Sequence, residues 1–279
     1  MKSKQHFNIG FSPCPNDTYI FDALIHSKID SPFRFSPHLH DVQVLNQMAM
    51  QQILPVTKLS FFAYAQVSAH YQILDAGSAL GNGCGPLLIS KNPNLDTKHN
   101  TLNICVPGMQ TTANLLLSLF YPQLSNKTPL LFSDIEQALV RNAFDAGVII
   151  HENRFTYNRL GLQLIADLGA MWELKTQLPI PLGCIAVARS LPEAVKKEIS
   201  NLISSSISYA NENVADVMPY IKMNAQNMDE AVIKQHIDLY VNDYSVKLGS
   251  NGKTAINTLF AAGYDKQLIP ELTQPIFLN

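Results

Sequence analysis

Residues 7–25 read FNIGFSPCPNDTYIFDALI, and this stretch decides the fold class because it joins a strand pattern directly to a helix pattern. The apolar run at 7–11 is typical of a buried strand, and two prolines lie in the turn that follows it. A polar residue at 16–18 can then cap a helix that runs to about Ile25. Strand, turn and helix in this order indicate the first unit of an α/β fold.

The same alternation continues along the chain. Phe33, Phe35 and Leu39 alternate with polar residues, as in a half-buried strand, and Asp41 can cap the helix after it. We therefore predict mainly parallel sheet in an α/β protein. Further strand patterns lie at 54–59, 86–90, 102–106, 130–132, 146–150 and 181–188, and helix patterns lie at 61–71, 111–120, 135–144, 192–211, 229–241 and 252–262.

A polar loop at 91–100 separates two blocks of alternating strands and helices. The strand pattern at 181–188 indicates that the chain then returns to the first block. We predict two lobes with a central cleft, where small ligands usually bind. Residues 1–95 plus 185–279 would form lobe 1, which includes the C-terminal helices, and residues 96–184 would form lobe 2.

Composition excludes several classes of protein. The 279 residues are 47% hydrophobic and 15% charged, and 20 basic against 22 acidic residues give a net charge of −2. A nucleic-acid binder would carry a basic face, so we expect no nucleic-acid partner. No apolar run approaches the roughly 18 residues that span a bilayer, and no leader pattern follows Lys2 and Lys4. We therefore expect a cytoplasmic protein that does not bind membranes.

The four cysteines are widely scattered, which favours buried thiols in a reducing compartment over disulfides or a metal site. Cys14 lies between two prolines and could be a nucleophile, although a rigid turn thiol is the favoured interpretation. His38 and His40 could share one strand face, but no third metal ligand lies near them in the sequence. We predict no metal.

Two phosphate-binding patterns are incomplete. The sequence 252–254 (GKT) resembles the end of a P-loop, but Lys247 occupies the position of the required upstream glycine. The glycine-rich stretch at 81–85 precedes a strand and not a helix, so it is not a dinucleotide fingerprint. We therefore predict no cofactor.

His151 directly follows the apolar run at 146–150, at the carboxyl end of a predicted parallel strand. Open α/β sheets bind their ligands at that end, and a neutral imidazole there can accept a proton near pH 7. A strand-end histidine that only hydrogen-bonds backbone is equally compatible with the position.

Two further segments precede helices at strand ends. Thr111, Thr112 and Ala113 open a helix whose free N–H groups would attract an anion, although one threonine can simply be the N-cap. Lys58 lies at the other strand end, where it could pair with a carboxylate or point into solvent.

These segments also carry a resemblance to a known family. The chain resembles the 1,4-dihydroxy-6-naphthoate synthases of the futalosine route to menaquinone, in order and over essentially its whole length. The matching motifs are SPCPNDT at 12–18, TKLS at 57–60, PG at 107–108 with TTA at 111–113, GVIIHENRFTY at 147–157, DLG at 167–169 and PIPLG at 179–183.

The resemblance implies a two-lobed fold like that of type II periplasmic binding proteins, in a cytoplasmic form. It implies that His151 is the catalytic proton acceptor, and that Lys58, Leu59, Ser60, Thr111, Thr112 and Ala113 bind the substrate. The implied substrate is cyclic dehypoxanthine futalosine, a carboxylated aromatic ring joined to a sugar-derived ring, and no cofactor is implied. One position departs from the family, since Met171 precedes Trp172 where paired tryptophans are usual.

Two alternative functions remain. A cytoplasmic binding protein for a small carboxylate would use the same fold without catalysis. Chorismate dehydratase, a sibling enzyme of the same pathway, also shares the fold but lacks the motifs at 12–18 and 151–157. We expect a small-molecule substrate with a carboxylate as the partner, and the chain could form a homodimer.

Overall fold

The structure, a computed structural model, describes residues 4–226 and 229–278, and its strands form two separate sheets. The strands are β1 (Gln5–Phe11), β2 (Phe33–Leu39), β3 (Val56–Ser60), β4 (Tyr71–Ile73), β5 (Ala79–Gly81), β6 (Leu87–Ser90), β7 (Ile104–Val106), β8 (Lys127–Pro129), β9 (Ala146–Ile149), β10 (Gln163–Asp167) and β11 (Ile180–Ala188). The α-helices are α1 (Pro15–Ile25), α2 (Val42–Met50), α3 (Phe61–Val67), α4 (Thr112–Phe120), α5 (Ile135–Val140), α6 (Leu168–Thr176), α7 (Glu193–Glu212), α8 (Val214–Asn224), α9 (Glu230–Tyr240), α10 (Asp243–Val246) and α11 (Gly249–Asp265).

The first sheet has the order β2-β1-β3-β11-β4, with β5 also paired to β11, and the second has the order β10-β6-β9-β7-β8. The predicted α/β class is confirmed, but the prediction of mainly parallel sheet is wrong because both sheets are mixed. β11 runs antiparallel to its three neighbours, and β6 runs antiparallel to β9 and β10. These two strands arrive from the other sheet, so no helical crossover within one sheet forces them to be parallel.

The chain passes from the first sheet to the second between Gly81 and Leu87, and it returns between Asp167 and Ile180. The two crossings touch each other: a Cβ on Gly85 would lie 2.3 Å from the Cα of Gly169. Only glycine permits this approach. Strand β6, residues 87–90, pairs with strands of the second sheet. The predicted lobe boundaries, at residues 95 and 184, stay predictions.

Several predicted elements shift or are new. The strand predicted at 130–132 is wrong: β8 ends at Pro129, on the sheet edge where proline costs no ladder hydrogen bond, and Phe132–Asp134 forms a 3₁₀ turn. Helices α6 and α8 were not predicted from the sequence. Pro219 inside α8 interrupts the pattern that would indicate a helix there.

The C-terminal helices pack back onto the start of the chain. α7 buries Ile199, Ile203 and Ile207 at four-residue spacing, and this face lies against α1. α9 contacts both α1 and the 3₁₀ segment His151–Phe155 that follows β9. Residues from the last quarter of the sequence therefore lie beside the end of a central strand. None of the described helices combines the length and apolarity needed to cross a bilayer.

Candidate functional site

A cavity lies between the two sheets, and the structure places all seven residues predicted for the site on its wall. Lys58, Leu59 and Ser60 come from the end of β3, and Thr111, Thr112 and Ala113 come from the start of α4. His151 comes from the end of β9. The remaining wall is formed by Asn16, Val42, Ala79, Cys84, Pro86, Ile150, Leu182, Gly183 and Tyr240. Their catalytic and binding roles remain predictions.

The ring of His151 is fixed between two other rings. Phe132 packs edge-on at 4.9 Å between ring centroids, and His236 stacks nearly parallel at 5.9 Å and 14°. The backbone of His151 adopts φ 58°, which is the left-handed region that side chains other than glycine rarely occupy. Its Nε2 atom is buried and has no hydrogen-bond partner. A strained backbone and a buried polar atom without a partner are typical of a functional site.

The surroundings of His151 favour a neutral imidazole. Burial, followed by the positive charge of Lys58, lowers the pKa of the His151 ring to about 4, against a smaller opposing effect of Asp17. At neutral pH the ring therefore has an unprotonated nitrogen that can accept a proton.

Lys58 is buried and forms an ion pair with Asp17, so the exposed position considered from the sequence is excluded. The Asp17 carboxylate also accepts hydrogen bonds from the Nδ2 of Asn16 and from the backbone N–H and hydroxyl of Ser12. This set of partners fixes the lysine at the cavity wall. A Lys ammonium has three donor hydrogens, so Lys58 can still donate to an anionic ligand.

Leu59 contributes apolar surface, and the neighbouring Ser60 is held by a side chain from α2. The Oδ1 of Asn46 accepts from the Ser60 backbone N–H at 3.0 Å, and the Nδ2 of Asn46 lies 3.2 Å from the Ser60 hydroxyl oxygen. The Ser60 hydroxyl thus accepts a hydrogen bond from Asn46 and keeps its own proton for a ligand.

The two threonine hydroxyls at the start of α4 are already engaged within the protein. The Oγ1 of Thr111 donates to the Gly108 carbonyl and caps the helix by accepting from the Asn114 N–H. The Oγ1 of Thr112 accepts from the Phe61 N–H and donates to the Leu182 carbonyl. The groups of this segment left for an anion are therefore the first N–H groups of the helix, at Thr112 and Ala113.

The residues that lie behind His151 were not predicted from the sequence. His236 is completely buried, and its Nε2 lies 2.9 Å from the Oδ1 of Asn16. Its Nδ1 lies 3.6 Å from the Oε2 of Glu152, which is also buried. The only sequence signal for His236 is its position on the apolar face of α9, between Ile233 and Ile237. No spacing in the sequence connects residue 236 to residue 151.

Among the described residues, one group of side chains brings possible metal-donor atoms within 4.8 Å of one another: Cys14, His151 and Glu152. Burial raises the pKa of the Cys14 thiol and of the Glu152 carboxyl, which disfavours the anionic forms that would attract a cation. The rigid turn thiol predicted for Cys14 is consistent with its place at the N-terminus of α1, and all four cysteines are buried and free, as predicted.

Met171, the position at which this sequence differs from the paired tryptophans of the family, does not line the cavity. Trp172 is 2% exposed, and its indole Nε1 donates to the Pro179 carbonyl at 3.2 Å. Met171 packs against the core beside it. Neither residue lines the cavity, so the missing second tryptophan changes the core and not the site.

Comparisons with known proteins show which family the sequence resembles. A family profile described as "Menaquinone biosynthesis" matches residues 7–265. The 1,4-dihydroxy-6-naphthoate synthase of Thermus thermophilus is 41% identical over 97% of this chain and 98% of its own. The protein of that name from Streptomyces coelicolor is 36% identical over 97% of both chains.

Solved structures show the same fold. The protein AF1704 from Archaeoglobus fulgidus aligns with a TM-score of 0.89 and 32% identity, over 96% of this chain and all of that one. The alkanesulfonate-binding protein SsuA from Xanthomonas axonopodis aligns with a TM-score of 0.70 and 10% identity, over 100% of this chain and 98% of that one. The second similarity concerns the fold alone, and it confirms the predicted likeness to periplasmic binding proteins.

Proposed function

Because this chain belongs to the menaquinone-biosynthesis family, we propose that it converts cyclic dehypoxanthine futalosine to 1,4-dihydroxy-6-naphthoate with His151 as the general base. Its activity is that of a 1,4-dihydroxy-6-naphthoate synthase, since relatives of that name match it at 41% and 36% identity over nearly its full length. The substrate, the base and the binding groups are the parts that we infer.

One observation carries the assignment of the base. His151 lies on the wall of the cavity between the sheets, its Nε2 has no partner within the protein, and its low pKa of about 4 keeps it neutral. A general base needs an unprotonated nitrogen within reach of the substrate, and these features supply one. Phe132 and His236 hold the ring in a single orientation, so little reorganisation precedes proton transfer.

The cavity offers separate surfaces for the two parts of the substrate. Apolar side chains such as Leu59, Ile150 and Leu182 form a wall suited to an aromatic ring. Lys58 and the first N–H groups of α4 provide positive charge and donors for a carboxylate or a developing oxyanion. This arrangement would direct the sugar-derived ring towards His151.

The proposed chemistry needs one proton transfer to the enzyme. His151 removes a proton from a carbon of the sugar-derived ring, and the electron pair left on that carbon forms a double bond to its neighbour as the bond from that neighbour to oxygen breaks. The departing oxygen keeps the electrons of the broken bond and takes up a proton, and formation of the aromatic naphthoate drives the reaction. General-base catalysis contributes about 10²–10⁴-fold, so positioning of the substrate between the sheets must supply much of the remaining acceleration.

The test is turnover by a variant that lacks the base. Purified protein and the His151→Asn variant are incubated with cyclic dehypoxanthine futalosine, and 1,4-dihydroxy-6-naphthoate is measured by liquid chromatography. We expect kcat to fall by about 10²–10⁴-fold or more in the variant, with its thermal midpoint and circular dichroism preserved. His99→Asn is the matched control, because His99 is 68% exposed and pairs only with the exposed Asp96.

Other results would change the assignment. Full turnover by His151→Asn would remove His151 as the base and leave the activity in place. If the wild type yields no product, tight binding of a small carboxylate, measured as a rise in thermal midpoint, would favour a binding protein. A rise in thermal midpoint with chorismate, and not with the futalosine derivative, would favour the dehydratase.

A further inference from the structure

Two buried polar atoms without hydrogen bonds face each other beside His151. They are the Oε2 of Glu152 and the Nδ1 of His236, which lie 3.6 Å apart. Buried polar atoms without partners are rare in folded proteins, and two that face each other require a common explanation. They lie on two elements that pack together, the 3₁₀ segment His151–Phe155 and α9.

Hydrogen bonding fixes the position of the proton on His236. The Nδ2 of Asn16 donates to the Asp17 carboxylate at 2.9 Å, so the atom that Asn16 directs at His236 is its carbonyl oxygen. An oxygen can only accept, and the Nε2 of His236 must therefore be the donor. In a neutral ring the Nδ1 atom then carries a lone pair, and it faces Glu152 at 3.6 Å.

A lone pair and a carboxylate would repel each other at this distance, whereas a protonated carboxyl can donate to the lone pair. Burial raises the pKa of Glu152 and lowers the pKa of His236, which favours neutral forms of both. The pair then has no net charge, with a single proton between the Oε2 of Glu152 and the Nδ1 of His236.

We propose that Glu152 and His236 share this proton as a positioning pair, which holds the His151 ring in place and keeps an anion away from it. The inference rests on the proposed function, in which His151 is the base. Glu152 does not line the cavity, so it acts through His151 and not on the substrate. An ionised Glu152 would repel the His236 lone pair, loosen the stack on His151 and leave a negative charge beside the base.

Other charged and titratable groups surround the pair, and the charged ones have partners of their own. Lys58 is paired with Asp17, Glu136 accepts from the Nδ2 of Asn153, and the guanidinium of Arg154 donates to the Gly85 carbonyl. Six titratable groups interact electrostatically with Glu152, with His236 or with their neighbours. They are Cys14, Asp17, Lys58, Glu136, Arg154 and Tyr240.

The proposal predicts that glutamine can replace Glu152 while alanine cannot. A glutamine amide has the shape of a protonated carboxyl and can donate to the Nδ1 of His236 at every pH. We expect kcat of Glu152→Gln at pH 7 to stay within about 3-fold of wild type, and Glu152→Ala to lose about 10–100-fold through misplacement of His151. We also expect the wild-type kcat/KM to decline on the alkaline side as Glu152 ionises, and this limb to be absent from Glu152→Gln.

Two controls separate this role from a purely structural one. Glu230→Gln makes the same chemical change on α9 at a side chain that is 72% exposed, and it should keep the wild-type pH profile. Thermal midpoints show whether each variant folds. If Glu152→Gln loses as much activity as Glu152→Ala, or if it keeps the wild-type alkaline limb, Glu152 does not work as a proton donor and the proposal fails.

Nuclear magnetic resonance of protein labelled with ¹⁵N-histidine gives a readout that does not depend on turnover. His236 should show a protonated Nε2 and a bare Nδ1 at pH 7, both in the wild type and in Glu152→Gln. A protonated Nδ1 at His236 would overturn the proposal. Because this measurement needs no substrate, it decides the place of the proton even if the proposed reaction itself is not observed.

Discussion

His151 combines two properties that oppose each other in folding. Burial keeps its imidazole neutral, which suits a base, but the unfolded chain can protonate the same ring freely. His236 adds to the effect, because burial and the neighbouring His151 lower its pKa well below the usual 6.5. The same histidines that prepare the site for proton transfer therefore make the fold sensitive to acid.

The sign of this effect gives a stability prediction. Between the usual pKa of 6.5 and the folded pKa of about 4 for His151, the unfolded chain binds a proton that the folded protein does not. We expect the free energy of unfolding to be largest above pH 6.5 and to fall as the pH approaches 4. Urea unfolding at several pH values measures this slope. His151→Asn should show a shallower slope and His99→Asn the wild-type slope; equal slopes in all three proteins would contradict the prediction.

The position of each candidate side chain could be predicted better than its partner. Strand ends and helix starts are local patterns, so the residue types at 58–60, 111–113 and 151 could be identified in the sequence. The partner of Lys58 is Asp17, 41 residues earlier, and the partner of Glu152 is on α9. Only the tertiary fold brings such residues together, which is why His236 could not be assigned a role from the sequence.

The start of α4 shows how one element connects the two sheets. Thr112 belongs to α4, which follows a strand of the second sheet, yet its hydroxyl bonds to Phe61 at the start of α3 and to Leu182 in β11 of the first sheet. The hydroxyl therefore holds the helix N-terminus, with its free N–H groups, at the cavity wall. A segment expected to bind an anion is also a connection between the sheets.

We expect Thr112→Val, which keeps the shape of the side chain, to lose both hydrogen bonds. A buried N–H and a partly buried carbonyl would lose their partner, so the free energy of unfolding should fall by about 1–3 kcal/mol. KM should rise as the N-terminus of α4 shifts. Urea unfolding and steady-state kinetics measure the two effects. Thr254→Val is the control, since the exposed Thr254 hydroxyl bonds only a carbonyl of its own helix. Equal losses in both variants would show that Thr112 has no special role.

Strands and helices with clear periodicity could be predicted, whereas their direction in the sheet could not. The pattern at 181–188 indicates a strand, and β11 is there, but its antiparallel pairing follows from its arrival from the second sheet. Proline is an ambiguous signal for the end of an element. Pro129 ends the edge strand β8 and Pro219 lies inside α8, so the residue alone does not show whether an element stops there.

The two sheets are joined across the cavity by side chains as well as by the two chain crossings. The Nε2 of Gln43 on α2 donates to the Oε1 of Gln110, and the Nδ2 of Asn46 lies 3.4 Å from the Gln110 carbonyl. In proteins of this shape, closure of the cleft around a ligand positions it, so contacts that hold the cleft closed should improve apparent affinity.

Removal of this contact should therefore weaken binding more than it slows chemistry. Gln43→Ala deletes the side chain that bonds Gln110, so a smaller fraction of molecules should be closed, and KM should rise while kcat changes little. Small-angle scattering of the variant without substrate should give a larger radius of gyration than the wild type. Gln47→Ala is the matched control, because Gln47 lies one turn later on α2 and is exposed. An unchanged radius and KM in Gln43→Ala would contradict the prediction, because the Gln43–Gln110 contact would then not hold the cleft closed.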